Sequence, residues 1–143
     1  MNSPISLSAA SVPVSAGSSS VSGAPLRVGL IGLDRGGMFH AERLSLRADV
    51  ALIAACDLST AGTRRLPGPH LEHSRVYSRV DDLLARTDIE AVLIAGPTSL
   101  RADWAEQALA AGKDVAIDPV PCASAGRMRD LLATAARTGS RLS

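Results

Sequence analysis

Aromatic side chains are almost absent from this sequence, which has one Phe, one Tyr and one Trp in 143 residues. A chain without a row of aromatic rings has no platform on which successive bases could stack. An excess of one charge is lacking too, because 15 basic residues stand against 14 acidic ones. That balance provides no one-signed field for nucleic acid or for an anionic membrane surface. We therefore expect small molecules and proteins, and neither nucleic acid nor membrane, as partners.

Cysteine is scarce, and the spacing of Cys56 and Cys122 matches no Cys-x-x-Cys or Cys/His metal site. We expect two reduced, structural thiols in a cytoplasmic protein and no metal centre. Long apolar runs are missing as well, since none reaches the roughly 18 residues of a membrane span. A chain of 143 residues is long enough for one domain with a real core, but not for two substantial ones.

Residues 1–24 contain nine serines and no charged side chain. Such a segment has too little apolar mass to offset the entropy of ordering it, so we expect a disordered tail. A signal peptide is the competing interpretation. It lacks support here because the segment has neither a basic start nor a continuous apolar stretch. The folded domain is expected over residues 25–143.

From Leu26 onward, short aliphatic runs alternate with longer stretches of helical periodicity. This alternation is typical of a parallel sheet covered by helices on both faces. The sequence therefore predicts the α/β class with a doubly wound parallel sheet of Rossmann type. The expected strands are Arg27 to Gly32, Val50 to Cys56, Ala91 to Ala95 and Asp114 to Ile117, with a short one near Val76.

Residues that favour helix ends mark the later helices. The expected N-caps are Ser78, Thr98 or Ser99, and Ser124, with Gly112 and Gly139 as ends. Periodicity places Leu100, Trp104, Ala105, Ala108 and Leu109 on a buried face, and Arg101 among the outward residues. The same argument buries Met128, Leu131, Leu132, Ala135 and Ala136. Ser140 to Ser143 are too few to complete another buried strand.

A glycine-rich string, Gly32-Leu33-Asp34-Arg35-Gly36-Gly37, follows the first strand and precedes the first helix. In the Gly-x-Gly-x-x-Gly fingerprint of dinucleotide sites, the outer glycines make the turn and allow close helix–strand packing, and the middle one admits the pyrophosphate. Gly32 and Gly37 fill the outer places, so both are candidate cofactor-binding residues. The alternative is an ordinary strand-to-helix turn that needs glycine only for its backbone.

The middle place of the fingerprint is taken by Asp34. Its charge would oppose a diphosphate at the positive amino end of the helix. The guanidinium of Arg35 is expected to compensate by reaching the phosphates. Both residues are therefore assigned to the cofactor site, and we expect the dinucleotide to bind less tightly than with glycine in the middle place.

Asp57 ends the second strand, about where a carboxylate binds the adenosine ribose of NAD. It would accept from the ribose hydroxyls and repel the additional phosphate of NADP. An Asp at a strand end is also a common turn former, which leaves a structural role open. Arg64 and Arg65 leave NADP open as an alternative to NAD.

The segment Leu26 to Ala41, LRVGLIGLDRGGMFHA, resembles the start of Gfo/Idh/MocA oxidoreductases. Two later segments, DIEAVLIAGPT from Asp88 and ALAAGKDV from Ala108, are similar to the same family. The resemblance implies a dinucleotide-binding domain with Pro97 and Thr98 under the nicotinamide. It also implies hydride transfer at a sugar or related alcohol carbon.

The sequence departs from that family where catalysis is expected. Asp118 stands for the glutamate of a Glu-Lys-Pro motif, Pro119 for its lysine and Val120 for its proline. Proline can neither carry a proton nor donate a hydrogen bond. Arg101 stands for a family histidine. His40 is expected on a helix surface or packed against it, and two further histidines, His70 and His73, in a solvated loop. No catalytic residue is therefore assigned.

Three interpretations of function follow. The first is the NAD-binding part of a Gfo/Idh/MocA-type oxidoreductase, truncated or catalytically impaired, without its substrate domain. The second is a non-catalytic module of Rossmann fold that binds another protein or a second copy of itself. The third is an incomplete reading frame of a longer enzyme.

Overall fold

A computed structural model describes residues 23–59, 66, 71 and 73–143. Five strands and four helices lie in this part of the chain. In order they are β1 (Leu26–Ile31), α1 (Arg35–Ser45), β2 (Val50–Cys56), β3 (Arg75–Tyr77), α2 (Val80–Leu84), β4 (Ala91–Ile94), α3 (Thr98–Ala110), β5 (Asp114–Ile117) and α4 (Ala125–Thr138). The expected tail lies mostly outside the described residues, as do Arg64, Arg65 and His70.

The five strands form one parallel sheet in the order β3-β2-β1-β4-β5. The chain winds outward from β1 in one direction through β2 and β3, and in the other through β4 and β5. This order confirms the doubly wound α/β fold that the sequence predicts. Because the winding direction reverses between β1 and β4, a crevice opens at the carboxyl ends of these strands.

Two clusters of buried aliphatic residues cover the two faces of the sheet. The cluster on one face joins α2, α3 and α4 to the strands around Ile31, Val92 and Ile94. The smaller cluster joins α1 to the other face around Leu30 and Leu52. Helices α1 and α3 therefore approach the same carboxyl edge of the sheet from opposite sides.

The predicted strands agree with the structure to within one residue at each end, but the predicted N-caps of two helices were wrong. Helix α2 begins at Val80 with Arg79 at its N-cap, because Arg79 keeps an extended backbone after β3. Ser78 therefore precedes the cap. Pro97 takes the N-cap position of α3, which places Thr98 and Ser99 inside its first turn.

The last helix follows its sequence signals more closely. Ser124 caps α4 by accepting a hydrogen bond from the backbone N–H of Arg127, and Gly139 ends it with φ of 73°. Leu131 and Ala135 are buried as predicted. Leu132 is 52% exposed and Ala136 is exposed, so the apolar stripe is narrower than the sequence indicates.

The residues after α4 extend the edge of the sheet. Leu142 forms a parallel bridge with Val115 of β5, and the backbone N–H of Val115 donates to the carbonyl of Arg141 at 2.8 Å. The final residues are thus paired with the sheet, although they form no full strand. Within the described residues, no helix is long and apolar enough to cross a membrane.

Candidate functional site

A cleft of about 490 Å³ lies at the carboxyl edge of the sheet, where the winding reverses. It is lined by Gly32, Leu33, Asp34, Asp57, Leu58, Ser59, Gly96, Pro97 and Leu100. Four of the predicted site residues, namely Gly32, Asp34, Asp57 and Pro97, are therefore brought together. The other three, Arg35, Gly37 and Thr98, begin or lie within the helices that start beside the cleft.

The outer glycines of the turn are required by close backbone contacts. Gly32 has φ of 94°, and a Cβ on it would lie 2.7 Å from the carbonyl oxygen of Ala95. A Cβ on Gly37 would lie 1.8 Å from the carbonyl oxygen of Gly32. The turn thus brings α1 directly onto the end of β1, which is the packing that the dinucleotide fingerprint provides. Both glycines are needed for this geometry even before any ligand is considered.

Asp34 has a structural role that the sequence analysis did not assign. It is the N-cap of α1, and its Oδ1 accepts a hydrogen bond from the backbone N–H of Gly37 at 3.0 Å. An Asp directly before a helix is a known capping signal and could have identified this role. The positive end of α1 is therefore already shared with one carboxylate. Arg35, the first residue of the helix, is exposed beside it.

Asp57 lies at the end of β2 and is 5% exposed. Its backbone N–H donates to the carbonyl of Tyr77, and its Oδ1 accepts from the backbone N–H of Ser59 at 3.0 Å and from the Ser59 hydroxyl at 2.7 Å. These bonds form a local turn that orients the carboxylate at the wall of the cleft. Ser59 is a site residue that the sequence analysis missed.

Cys56, next to Asp57, is fully buried. Burial, together with the nearby Asp57 and Asp82 carboxylates, raises the pKa of its thiol to about 11. The thiol therefore stays protonated near neutral pH and is a poor nucleophile. Both cysteines are free, and Cys122 is partly buried.

The turn after β4 forms the opposite wall of the cleft. Pro97 is exposed there, and its carbonyl accepts from the backbone N–H of Leu100 at 3.0 Å. Leu100 was predicted to be buried, but it is 40% exposed and lines the cleft. The reason is that Leu100 lies in the first turn of α3, close to the end of β4, where it borders the cleft. Trp104, one turn later, packs beneath Gly96, where a Cβ would lie 3.2 Å from its ring.

Arg101 does not point outward as predicted. Its Nε donates to the carbonyl of Gly96 at 2.9 Å, and its Nη1 donates to the carbonyls of Asp118 and Pro119, both at 3.1 Å. A helix-face pattern cannot indicate this arrangement, because the acceptors belong to loops after two different strands. Arg101 therefore links the turn after β4 to the loop after β5.

His40 is the second functional candidate that the sequence analysis missed. Its Nε2 lies 2.5 Å from Oδ1 of Asp118, although 78 positions separate the two residues. Both side chains are partly buried, at 29% and 19% exposed. No local pattern could predict this pair, because the fold alone brings α1 to the loop after β5. His73 is exposed, as predicted.

The geometry fits an adenine dinucleotide in three respects. The outer glycines let α1 pack directly onto the end of β1, a buried acid lies one strand away, and the cleft reaches from that acid to Pro97. The charge of Asp34 opposes a diphosphate at the first turn of α1. Among the described residues, no group of three or more His, Cys, Asp or Glu side chains is placed to hold a metal ion.

Comparison with known proteins gives a family match over most of the chain. The profile of the Gfo/Idh/MocA group, described as "Oxidoreductase family, NAD-binding Rossmann fold", matches residues 26–143. Inositol 2-dehydrogenase from Rhizobium meliloti (strain 1021) is 32% identical over 117 residues. Glycosyl hydrolase family 109 protein 2 from Shewanella sp. (strain ANA-3) is 30% identical over 121 residues.

A solved structure of GenD2 from gentamicin A biosynthesis, in complex with NAD, superimposes with a TM-score of 0.72 and 28% identity. The match covers 85% of this chain and 34% of GenD2. The two curated relatives are matched over 82% and 79% of this chain, but over 34% and 26% of their own lengths. The chain thus spans about a third or less of the proteins it resembles.

Proposed function

Because this chain belongs to the Gfo/Idh/MocA family of oxidoreductases with an NAD-binding Rossmann fold, we propose that its cleft binds NAD. The observation that carries the proposal is the orientation of Asp57. This buried carboxylate is held by Ser59 at the end of β2, one strand away from the glycine turn. An acid in that place accepts hydrogen bonds from the adenosine ribose.

The remaining site residues have distinct roles in this proposal. Gly32 and Gly37 let the backbone and α1 approach the diphosphate, and Arg35 supplies a positive charge beside it. Pro97 and Thr98, at the start of α3, support the nicotinamide half. Asp34 shares the amino end of α1 with the diphosphate, so we expect an affinity lower than an all-glycine turn would give.

We propose NAD rather than NADP as the preferred cofactor. The Asp57 carboxylate would repel the additional phosphate of NADP, which is bound to the adenosine ribose. NADP stays the alternative, since Arg64 and Arg65 follow in the sequence and lie outside the described residues. Comparison of the two reduced dinucleotides decides between them.

For the reaction that the bound cofactor serves, we propose hydride transfer at an alcohol carbon of a sugar or cyclic polyol, completed by groups that this chain does not supply. Inositol 2-dehydrogenase, by its name, oxidises such a compound. When bound, NAD supplies the hydride acceptor, but a separate group must take the hydroxyl proton. Pro119 cannot do so. Lys113, the only lysine of the chain, lies before β5, at the opposite end of that strand from the cleft.

We therefore assign no catalytic residue to this chain and propose that it holds the cofactor without completing the reaction. Pro119 in place of the family lysine and the remote position of Lys113 also favour a second candidate function. In this second case the domain is a dinucleotide-binding or interaction module that acts with a protein partner or a second copy of itself. A cytoplasmic location also stays a prediction.

The test uses Trp104, the only tryptophan of the chain, as a reporter. It packs beneath Gly96 at the cleft wall, so bound NADH should quench its emission by energy transfer. We expect saturable quenching with NADH in the micromolar range and weaker binding of NADPH. Absence of saturable quenching up to millimolar NADH and NADPH, with no thermal shift, would refute the proposal.

A further inference from the structure

Two side chains from opposite faces of the sheet hold the loop that follows β5. Arg101, on α3, donates to the carbonyls of Asp118 and Pro119 and also to that of Gly96. His40, on α1, contacts the Asp118 carboxylate at 2.5 Å. The backbone of this loop and its one acidic side chain are therefore fixed from different directions.

The contact made by Arg101 connects the loop to the cleft. Gly96 lines the cleft, and the same guanidinium that binds its carbonyl also binds the loop carbonyls. A guanidinium is planar, always charged and carries its donors in a fixed fork. The turn after β4 and the loop after β5 are thereby held in one relative position.

The contact made by His40 pairs a negatively charged side chain, Asp118, that lies close to the first turn of α1. A Cβ on Gly36, in the first turn of α1, would lie 3.6 Å from Oδ2 of Asp118 and 3.5 Å from Oδ1 of Asp34. Two carboxylates thus border the helix end at which the diphosphate is expected. Asp34 is engaged by the Gly37 N–H, and Asp118 is engaged by His40.

We propose that His40 is a positioning residue for dinucleotide binding. Its imidazole fixes the Asp118 carboxylate in one orientation beside the first turn of α1, while Arg101 fixes the backbone of the same loop. Without His40, the carboxylate is unpaired next to the diphosphate path and the loop loses one of its two side-chain anchors on other elements. This inference rests on the proposed function, because it assigns His40 to the same cleft.

The experiment compares His40→Ala with His40→Gln, whose amide nitrogen can donate where Nε2 does. NADH affinity is followed by Trp104 quenching, and hydrogen exchange is measured on a peptide that contains residues 118–122. We expect His40→Ala to weaken NADH binding roughly two- to fivefold, the range of a helix-end charge interaction, because an unpaired carboxylate then faces the diphosphate. It should also speed exchange in the loop. His40→Gln should restore most of both properties, and His73→Ala, at an exposed histidine, should change neither.

The double variant His40→Ala/Asp118→Ala should bind NADH better than His40→Ala alone, because no unpaired carboxylate remains. If the wild-type chain binds NADH and both His40 variants bind it with the wild-type affinity, the role of His40 is refuted while the proposed function stands. Equal losses in His40→Gln and His40→Ala also refute a role through hydrogen bonding. If the wild-type chain binds neither dinucleotide, the proposed function fails and the binding role of His40 fails with it.

Discussion

The Asp34 carboxylate accepts a hydrogen bond from the backbone N–H of Gly37 at 3.0 Å, so an acid caps the helix at which a diphosphate is expected. The two functions of this position oppose each other. A cap stabilises α1, whereas its charge offsets the attraction of the helix end for an anion. The acid in the turn is therefore explained by the folding of the domain rather than by binding.

Replacement of Asp34 separates these effects. Asp34→Asn keeps an oxygen acceptor for the cap but removes the charge, and we expect NADH to bind roughly two- to fivefold more tightly, the range of a helix-end charge interaction. Asp34→Gly should also bind more tightly, with only a few tenths of a kcal/mol lost in stability. Asp34→Ala should lose about 1 kcal/mol of unfolding free energy. Unchanged NADH affinity in both Asn and Gly variants would show that the turn does not approach the phosphates.

The two neighbouring glycines of the turn should respond differently to alanine. A Cβ on Gly37 would lie 1.8 Å from the backbone oxygen of Gly32, whereas the nearest atom to a Cβ on Gly36 is 3.5 Å away. We expect Gly37→Ala to lower the free energy of unfolding by about 3 kcal/mol or more, as overpacking against backbone does. Gly36→Ala should be neutral or slightly stabilising. Urea unfolding measures both, and equal stability of the two variants would contradict the packing described here.

Asp57 should determine both affinity and cofactor preference. Asp57→Ala removes an acceptor for the ribose, so NADH binding should weaken by roughly ten- to a hundredfold, as for a lost hydrogen bond to a charged group. NADPH should be affected less, because the repulsion of its phosphate is removed too. Ser59→Ala should give a smaller loss in NADH affinity, since the backbone bond to Asp57 remains.

Asp49, at the opposite end of β2, provides the matched control for Asp57. Asp49→Ala should leave the affinities for both dinucleotides unchanged. Fluorescence titrations with NADH and NADPH give the ratio of the two affinities for each variant. A ratio that is the same in Asp57→Ala and in the wild-type chain would refute the assignment of Asp57 to the ribose.

The sequence predicts those structural features that are determined by residues close together in the chain. Strands such as Val50–Cys56 and caps such as Ser124 are set by local periodicity and by single residues at helix ends. The predicted burial of Leu100 was wrong, because burial depends on where the sheet ends and helical periodicity does not reveal that position. Helical spacing describes a face but not what lies opposite it.

Part of the candidate site could also be predicted from residues that are neighbours in the chain. Gly32 and Asp57 are recognisable because each lies directly after a strand, and parallel strands end at one edge. The contacts of Arg101 and His40 with the loop at Asp118 join segments 17 and 78 positions apart. Such contacts follow only from the assembled fold.

The two thiols should differ in reactivity. Cys56 is fully buried with a pKa of about 11, whereas Cys122 is partly exposed. At pH 8 a thiol reagent should modify one cysteine per native chain, identified as Cys122 by mass spectrometry, and both after unfolding. Because the unfolded thiol ionises near its ordinary value of 9.0, stability should fall between pH 9 and 11, where only the unfolded chain loses this proton. Rapid modification of Cys56 in the native chain would contradict the buried environment.

Lys113 anchors the amino end of β5 from within the protein. It is 8% exposed, and its Nζ donates to the carbonyls of Arg86 at 2.7 Å and Ile89 at 2.8 Å. Lys113→Met would keep the aliphatic stem but leave both acceptors without this donor. We expect the free energy of unfolding to fall by about 2 kcal/mol or more, since each unsatisfied buried acceptor costs roughly 1–3 kcal/mol.

Arg129→Met, at an exposed position of α4, is the control for loss of a cation and should change the unfolding free energy by less than about 0.5 kcal/mol. NADH affinity should be the same in both variants, because Lys113 lies at the end of the sheet opposite the cleft. Urea unfolding and the Trp104 titration measure the two properties separately. A Lys113→Met variant as stable as the Arg129→Met control would show that water replaces the lysine at both carbonyls, and the only lysine of the chain would then have no structural role here.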